Sequence, residues 1–314
     1  MKKRNFWNKK KVLITGSGGF VGTHLKEKLR KLGADVYGVS RSSSDKHDYK
    51  ENITNLSAVE GIIKKNRIQI CYHLAAEALV ESGQSDPYNT FKNNITGALN
   101  VLECSRKYNL EKIIIASTSH VYGDHKPPYL ERFSPRPSRP YETSKTCIDL
   151  IAQSYANTFS LPVIIPRFVN TYGPGDTNFN RLIPKTIKSI LENKPPLMWG
   201  GKARRDYLYI DDVISAYTLL GETKMEKFGK NRIYNFGSNN IYSVQEIIEI
   251  LIKMSGKDLE IVRKKDERDF EIKIQFSSFK KANRILGWSP KFSIDRGLLL
   301  TIPWYKKNLN KIIK

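Results

Sequence analysis

The sequence of 314 residues has few cysteines and no long hydrophobic run. Its three cysteines, Cys71, Cys104 and Cys147, are scattered without CxxC spacing, so neither a disulfide framework nor a metal site is predicted. No apolar run reaches the roughly 18 residues of a membrane helix, and the opening MKKRNFWNKKK lacks the core of a signal peptide. We therefore expect a cytoplasmic protein with no membrane partner.

Acidic residues are scarce relative to basic ones. The chain has 53 Lys and Arg against 31 Asp and Glu, which gives a formal net charge of +22. Such a charge attracts polyanions, but the basic residues are spread over the whole length and aromatic residues are not interleaved with them in a nucleic-acid-binding pattern. The charge therefore indicates no specific nucleic-acid partner, and it suits an anionic substrate such as a nucleotide diphosphate.

The order of apolar segments predicts the fold. From Lys11 to Phe168, the strand-like runs KVLIT, DVYGV, IQICYHLA, KIIIAS and VIIPRF alternate with segments of helical apolar spacing. This alternation predicts an α/β fold of Rossmann type, with a doubly wound parallel sheet. We predict a dinucleotide-binding domain in residues 1–170 that also carries the catalytic residues. A smaller C-terminal α/β domain in residues 171–314 would mainly bind the substrate, and the chain is free to cross between the two.

The motif TGSGGFVG directly follows the first predicted strand and opens a helix. Glycine at Gly16, Gly19 and Gly22 permits a tight turn, a close approach of the backbone to a pyrophosphate, and close contact between helix and sheet. A plain loop is the weaker interpretation, because the motif has the required strand before it and the required helix after it. The motif therefore predicts a dinucleotide site.

The acidic residue that usually ends the second strand of an NAD site is absent. This strand ends in Val39, Ser40 and Arg41, and three serines follow. A cation at this place suits the 2′-phosphate of NADP, although a solvated surface arginine explains the same pattern equally well. The predicted cofactor is NADP or NAD, with NADP slightly favoured.

Three polar residues have the spacing of a proton-transfer site. The motif YETSK places Tyr141 and Lys145 four residues apart on a predicted helix, hence on one face. An ammonium near a phenol stabilises the phenolate and lowers the pKa of the tyrosine, as deprotonation of a sugar hydroxyl requires. Thr118 follows the fourth predicted strand, at the edge where open α/β sheets bind ligands. We expect its hydroxyl to hydrogen-bond the oxygen that Tyr141 deprotonates.

Taken together, the motifs resemble those of the extended short-chain dehydrogenase/reductase family, in particular its nucleotide-sugar epimerases and dehydratases. The motifs that carry the resemblance are TGSGGFVG, HLAA at His73–Ala76, the helix with Asn94 and Gly97, STSHVYG, YETSK, RFVNTYGPGD at Arg167–Asp176, RRDYLYIDDV at Arg204–Val213 and YNFGS at Tyr234–Ser238. Phe6, Trp7 and the segments NFNRLIP and LGWSP are similar to the branch that contains CDP-glucose and GDP-mannose 4,6-dehydratases.

The resemblance implies an enzyme that oxidises C4 of a nucleotide-diphosphate sugar with NAD or NADP. It implies that Tyr141 takes the proton of the C4 hydroxyl while Lys145 holds the cofactor ribose. The residues expected to bind the cofactor are Gly16, Gly19, Phe20, Val21, Gly22, Ser40, Arg41, Asn52, Ile53, Leu74, Ala75, Ala76, Asn94, Tyr141 and Lys145. Those expected to bind the substrate are Asn170, Asn180, Arg181, Leu182, Arg205 and Arg268. Alternatively, Arg205 forms an ordinary ion pair with Asp206 and Leu182 belongs to the core.

The helices Asp86–Tyr108 and Tyr141–Phe159 resemble those that pair across a dimer contact in the family, so a homodimer is expected.

Two positions depart from the family pattern. Many family dehydratases have an Asp and a Glu directly after the threonine, where this chain has Ser119 and His120. A serine is a poor general acid, whereas a histidine can transfer a proton near neutral pH or can simply pack in its loop. The candidate catalytic set is therefore Thr118, Ser119, His120, Tyr141 and Lys145.

Several functions remain open from the sequence. A 4,6-dehydratase is slightly favoured by the overall resemblance and by the presence of one ionisable group after Thr118. A 4-epimerase is the main alternative, followed by a 4-dehydrogenase or 4-ketoreductase without elimination. A non-catalytic sensor that binds a dinucleotide is a remote alternative, because a sensor has no need of the threonine, tyrosine and lysine.

Overall fold

The computed structural model describes residues 5–42, 45–78, 80–264 and 272–312. Its strands, in chain order, are β1 Lys11–Thr15, β2 Asp35–Val39, β3 Asp48–Tyr49, β4 Ile70–His73, β5 Lys112–Ile115, β6 Ser117–Thr118, β7 Val163–Phe168, β8 Asn170–Tyr172, β9 Leu197–Trp199, β10 Arg204–Tyr209, β11 Ile233–Phe236, β12 Ile241–Ser243, β13 Val262–Lys264 and β14 Ile274–Gln275.

The helices lie between these strands. They are α1 Phe20–Lys31, α2 Leu56–Asn66, α3 Val80–Ser85, α4 Pro87–Phe91, α5 Gly97–Lys107, α6 Pro140–Thr158, α7 Leu182–Leu191, α8 Ile210–Glu222, α9 Met225–Phe228, α10 Val244–Ser255, α11 Lys280–Leu286 and α12 Ile294–Ile312. A π-helical segment, Lys92–Thr96, joins α4 to α5, and a 3₁₀-helix, Ser119–Tyr122, follows β6. None of the helices in the described ranges has the length and apolar character that a membrane crossing requires.

The largest sheet is parallel and has the strand order β3-β2-β1-β4-β5-β7-β11, with β6 also paired to β7. The chain winds from β1 towards β3 on one side and from β4 towards β11 on the other, so the order reverses between β1 and β4. Thr15 at the end of β1 lies between Val39 of β2 and His73 of β4. This arrangement confirms the predicted Rossmann-type fold and places the ends of β1, β2 and β4 around one crevice.

Both faces of this sheet are covered by helices, which explains why its central strands have continuous apolar sequences. Every residue of β4, β5 and β7 is buried. Leu25 and Leu29 of α1 pack on one face, and Val101 and Leu102 of α5 belong to the cluster on the other face. The strands therefore have little freedom to shift, and they hold the residues that follow them in fixed positions.

The chain after residue 170 builds a second, smaller group of strands. Strand β10 pairs with β8 and β14 in parallel and with β12 antiparallel, and β9 pairs with β13. Yet β11 lies at the edge of the main sheet, and α8 packs against α1. The chain thus crosses back into the first unit after residue 209, and the predicted division at residue 170 stays a prediction.

Candidate active site

The glycine turn between β1 and α1 has no space for a side chain at Gly16 or Gly22. Gly16 has a φ of +73°, and a Cβ there would lie 2.8 Å from the backbone nitrogen of Ala75. A Cβ on Gly22 would lie 2.1 Å from the carbonyl oxygen of Gly16. The first turn of α1 carries no acidic residue. The N-terminus of α1 thus has glycine backbone in front of it and no acidic residue in its first turn, which suits the binding of a dinucleotide pyrophosphate.

A cleft with a volume of about 350 Å³ opens above this turn. Predicted cofactor residues that line it are Gly16, Gly19, Phe20, Val21, Gly22, Ser40, Arg41, Asn52, Ile53, Leu74, Ala75 and Ala76. Glu51, Glu77 and Asn93 line it as well, and so does Arg181, which was predicted to bind the substrate. The structure therefore brings these residues together at the crevice, while their roles as ligands stay predictions.

Asn94 lies behind the wall of the cleft and is fully buried in the π-helical segment. Its Oδ1 accepts a hydrogen bond from the backbone nitrogen of Glu77 at 2.7 Å, and its Nδ2 donates to the Glu77 carbonyl at 3.2 Å. The same Nδ2 donates to Ser144 Oγ at 2.9 Å. Asn94 therefore fixes the segment after β4 to helix α6, which carries the predicted tyrosine and lysine.

Thr118, Tyr141 and Lys145 meet at the carboxyl end of β5 and β6. Lys145 donates from Nζ to the carbonyl oxygen of Ala116, 2.5 Å away, in the link between the two strands. Thr118 ends β6 and forms a hydrogen bond with the phenol of Tyr141. The charge of Arg181, which lines the cleft, also acts on this phenol. The structure thus brings the predicted threonine, tyrosine and lysine together at these strand ends. Among the described residues, the three are not part of the cleft lining, and Arg181 links them to it.

Burial opposes ionisation of both Tyr141 and Lys145. It raises the pKa of the Tyr141 phenol above its usual value, although the charge of Arg181 and the hydrogen bond with Thr118 act in the other direction. Burial lowers the pKa of Lys145 to about 8, against the effect of the Asp149 carboxylate. The sequence predicted a lowered tyrosine pKa, and the structure differs because desolvation outweighs the nearby cation. Without a ligand, Tyr141 is a neutral proton donor at pH 7.

His120 lies in the 3₁₀-helix after Thr118 and pairs with a buried carboxylate. Its Nδ1 is 3.3 Å from Oε1 of Glu142, whose side chain is 2% exposed. The backbone nitrogen and the hydroxyl of Ser138 donate to Oε2 of Glu142 at 3.2 and 3.1 Å. Burial raises the pKa of Glu142, but the contacts with His120 and Ser138 outweigh it, and the net pKa lies below the usual value. The His120 and Tyr141 rings are 6.2 Å apart between centroids.

Ser119, the other unusual residue after the threonine, is placed differently. It is 2% exposed and belongs to the first turn of the same 3₁₀-helix. A serine hydroxyl does not ionise near neutral pH, so Ser119 is a poor general acid at this position. The structure places His120 beside Tyr141 and buries the preceding Ser119.

A buried ion pair supports the strand that carries Thr118. Asp149 lies one turn after Lys145 in α6 and is fully buried. It accepts hydrogen bonds from Ser117 Oγ at 2.8 Å and from Nε and Nη2 of Arg167 at 2.8 and 2.9 Å. Neither Asp149 nor Glu142 was among the predicted site residues. The sequence signal for them is their position in the YETSK helix, one turn after the lysine and next to the tyrosine.

The predicted substrate residues between β8 and α7 differ in their exposure. Asn170 begins β8 and is partly buried, Asn180 is exposed, and Leu182 begins α7 and is partly buried. Arg181 donates from Nη1 to Asp176 Oδ2 at 3.1 Å. Of this group, Arg181 is the residue that lines the cleft with the glycine turn.

Two predicted substrate arginines belong to the chain after β9. Arg205 donates from Nη1 to the carbonyl oxygens of Arg204 and Ile272, at 3.0 and 2.7 Å. The carboxylate of Asp206, the neighbour proposed as an alternative partner for Arg205, accepts hydrogen bonds from Ser238. Arg268 lies outside the described residues.

Comparisons with known proteins agree with this geometry. Residues 12–237 match the model of the NAD dependent epimerase/dehydratase family. A UDP-glucuronate 4-epimerase from Thermodesulfobacterium geofontis is 31% identical and covers 96% of this chain and 97% of its own length. A dTDP-D-glucose 4,6-dehydratase from Dictyostelium discoideum is also 31% identical and covers 96% of this chain and 82% of its own length. The solved UDP-glucose 4-epimerase of Thermotoga maritima with UDP-glucose has a TM-score of 0.89 and is 30% identical, covering 95% of this chain and 99% of that one.

These relatives carry the names of UDP- and dTDP-sugar enzymes, so the narrower likeness to the CDP-glucose and GDP-mannose branch stays a prediction. Both epimerases and dehydratases match at the same identity and over nearly the whole chain. The coarser resemblance is confirmed. The chain belongs to the NAD-dependent epimerase/dehydratase family, and it is an enzyme of that family.

Proposed function

We propose that the protein is a nucleotide-sugar 4-epimerase, which oxidises the C4 hydroxyl of the sugar and then reduces the ketone from its other face. The observation that carries this proposal is the meeting of Thr118, Tyr141 and Lys145 beside the glycine-turn cleft, with a buried serine at the next position. A bound nicotinamide ring would accept the hydride from C4 and return it.

The side chains divide the proton transfer between them. The Thr118 hydroxyl, which contacts the phenol of Tyr141, would hold the C4 oxygen within reach of that phenol. Tyr141 would take the hydroxyl proton as the ketone forms and give it back when the ketone is reduced. Lys145 keeps most of its charge at pH 7, because its pKa is about 8. This charge would stabilise the phenolate, which burial otherwise disfavours.

The weak acidity of the Ser119 hydroxyl is the reason for placing epimerisation ahead of dehydration. Elimination of water needs a base for the C5 hydrogen and an acid for the 6-hydroxyl. Of the two residues after Thr118, Ser119 is 2% exposed and its hydroxyl does not ionise near neutral pH. This proposal therefore reverses the slight preference for a 4,6-dehydratase that the motifs suggested.

The contact between His120 and Glu142 favours a 4,6-dehydratase as the second candidate. Because Glu142 accepts a hydrogen bond from Nδ1, the imidazole would present Nε2 for proton transfer. Such a histidine could take the C5 hydrogen and pass the proton to the leaving hydroxyl. A dehydratase of this kind would use one residue where the family pattern has two.

Product analysis separates the candidates. The purified protein would be incubated with NAD or NADP and with UDP-, dTDP-, CDP- or GDP-hexoses, including UDP-glucuronate, followed by mass spectrometry and NMR. We expect an isomer of unchanged mass with inverted configuration at C4. Loss of one water would instead identify a dehydratase, and a released 4-keto sugar with reduced cofactor would identify a dehydrogenase. Tyr141→Phe should remove all products while it still binds the dinucleotide.

His120 has its own test in the same assay. If the protein is an epimerase, His120→Asn should retain most C4 turnover, because no proton at C5 is moved. If water is lost, the same variant should stop at the 4-keto sugar. Glu142→Gln serves as the matched variant, because it keeps the shape of the pair and removes the charge.

The exposed apolar residues of α5 and α6 support the predicted homodimer. Leu99 of α5, Leu150 of α6 and Phe159 just after α6 are 40%, 51% and 48% exposed. A paired four-helix contact would cover them. Light scattering after size exclusion should give a dimer for the native chain and a monomer for Leu150→Glu. A cytoplasmic location stays a prediction.

A further inference from the structure

Two charged side chains face each other across the cleft at the end of β2. Arg41 follows β2, Glu77 follows β4, and both line the cleft. The Nη2 atom of Arg41 is 3.2 Å from Oε1 of Glu77. The Arg41 side chain is 74% exposed, whereas that of Glu77 is 29% exposed. The arginine that suggested NADP therefore already has a carboxylate as its partner.

Hydrogen bonds to a buried side chain fix the position of Glu77. Both backbone polar groups of Glu77 are bonded to the side chain of Asn94, which is fully buried. The negative charge of Glu77 is thus held at the wall of the cleft, beside the exposed Arg41.

The other charged groups of the cleft add little positive charge at this end. Among the described lining residues, Glu51 is a second carboxylate, and Arg181 is the second arginine. Arg181 forms an ion pair with Asp176 at 3.1 Å. A 2′-phosphate brings close to two negative charges and requires a cation that no carboxylate shares. The 2′-hydroxyl of NAD carries no charge, so the carboxylate of Glu77 does not repel it.

We propose that Glu77 determines the cofactor preference: it occupies Arg41 and repels a 2′-phosphate, so that the protein binds NAD in preference to NADP. This reverses the slight preference for NADP that the sequence suggested from Arg41. The proposal rests on the proposed function only in requiring that a nicotinamide dinucleotide binds in this cleft. It adds a specificity residue after β4, on the opposite wall from the strand end where the ribose-binding acid is missing.

Calorimetric titration of the full chain with NAD and with NADP, without any sugar, measures the preference directly. We expect the native protein to bind NAD about tenfold more tightly than NADP, because the Glu77 carboxylate pairs with Arg41 and a 2′-phosphate would add close to two negative charges at the same wall. Glu77→Gln should tighten NADP binding by about tenfold and leave NAD binding within about twofold. Adding Arg41→Gln to Glu77→Gln should remove that gain.

Glu111→Gln is the matched control. Glu111 forms an ion pair with Lys10 at 2.9 Å and is 50% exposed, and it does not line the cleft. The substitution changes the net charge by the same amount, so it should leave the ratio of the two affinities unchanged. The effect of Glu77→Gln should also shrink at high salt, because the pair is exposed.

The proposal is overturned if the native protein prefers NADP, or if Glu77→Gln changes the ratio no more than Glu111→Gln does. If neither dinucleotide binds, both this proposal and the predicted cofactor site are wrong. Failure of the proposed function is a separate outcome: the dinucleotide affinities would follow the expected order, and no sugar nucleotide would be converted.

Discussion

Replacing the buried lysine of the site by methionine should abolish turnover and stabilise the protein. The pKa of Lys145 is lowered from its ordinary value of 10.5 to about 8, chiefly by burial. A difference of this size corresponds to about 3 kcal/mol of free energy that the folded state loses by holding the ammonium at pH 7. Lys145→Met removes this cost but leaves the Ala116 carbonyl without its partner, at a cost of about 1 kcal/mol. The expected net gain is about 2 kcal/mol.

The pH dependence of this gain follows from the direction of the shift. Between about pH 8 and pH 10.5 the unfolded chain binds a proton at Lys145 that the folded chain does not bind. The stability contribution of Lys145 in the native protein therefore rises with pH over this window, and Lys145→Met lacks that rise. The advantage of the variant should be complete below pH 8 and should disappear towards pH 10.5. Urea unfolding at pH 7, 9 and 10, followed by tryptophan fluorescence, measures it.

Lys112 provides a matched control outside the site. Burial also lowers the pKa of Lys112 to about 8, and its Nζ donates to the carbonyl oxygens of Gly221 and Thr223, each at 2.5 Å. Lys112→Met should show the same pH trend with a smaller gain, because two carbonyls lose their partner, and it should keep its turnover. If Lys145→Met is less stable than the native chain at pH 7, and if the difference stays constant up to pH 10, the reasoning is refuted.

Three further substitutions have defined outcomes. Gly16→Ala places a methyl group 2.8 Å from the Ala75 backbone at a φ of +73°. Dinucleotide binding measured by calorimetry should therefore weaken at least tenfold, and an unchanged affinity would contradict a pyrophosphate site at the glycine turn. Asp149→Asn leaves the buried Arg167 without its carboxylate and should cost about 3 kcal/mol of unfolding free energy, and an unchanged urea midpoint would be the opposing result. Thr118→Val removes the hydroxyl beside the phenol and should lower kcat by about a hundredfold with a smaller change in KM, whereas an effect on KM alone would argue for binding only.

Local sequence signals predicted much of the fold. The predicted strands KVLIT, DVYGV and VIIPRF are β1, β2 and β7 with the same bounds in the structure. Helix α10 is flanked by a capping box of Ser243 and Glu246 and by Gly256 in a left-handed conformation, both of which are local in sequence. The helix predicted for Asp86–Tyr108 contains a π-helical segment instead, where Asn94 bonds to the segment after β4. That distortion depends on a tertiary contact, which periodicity cannot predict.

The same distinction holds for the site. The glycine turn and the pair of Tyr141 and Lys145 have fixed spacings within single elements, so their proximity follows from the sequence. The contacts of His120 with Glu142 and of Arg41 with Glu77 join different elements. The first supports the second candidate reaction, and the second changed the expected cofactor. The sequence showed the charges of these residues but not their partners, and the partners determine what the charges can do.

A sugar nucleotide that carries deuterium at C4 tests the central claim most directly. If hydride leaves C4, stays on the cofactor and returns to the same carbon, the inverted product should retain the deuterium at C4, and turnover should be slower than with the unlabelled sugar. Tyr141→Phe should remove the reaction with either substrate. Loss of the deuterium to water, or undiminished turnover in Tyr141→Phe, would contradict transient oxidation at C4 by this threonine, tyrosine and lysine.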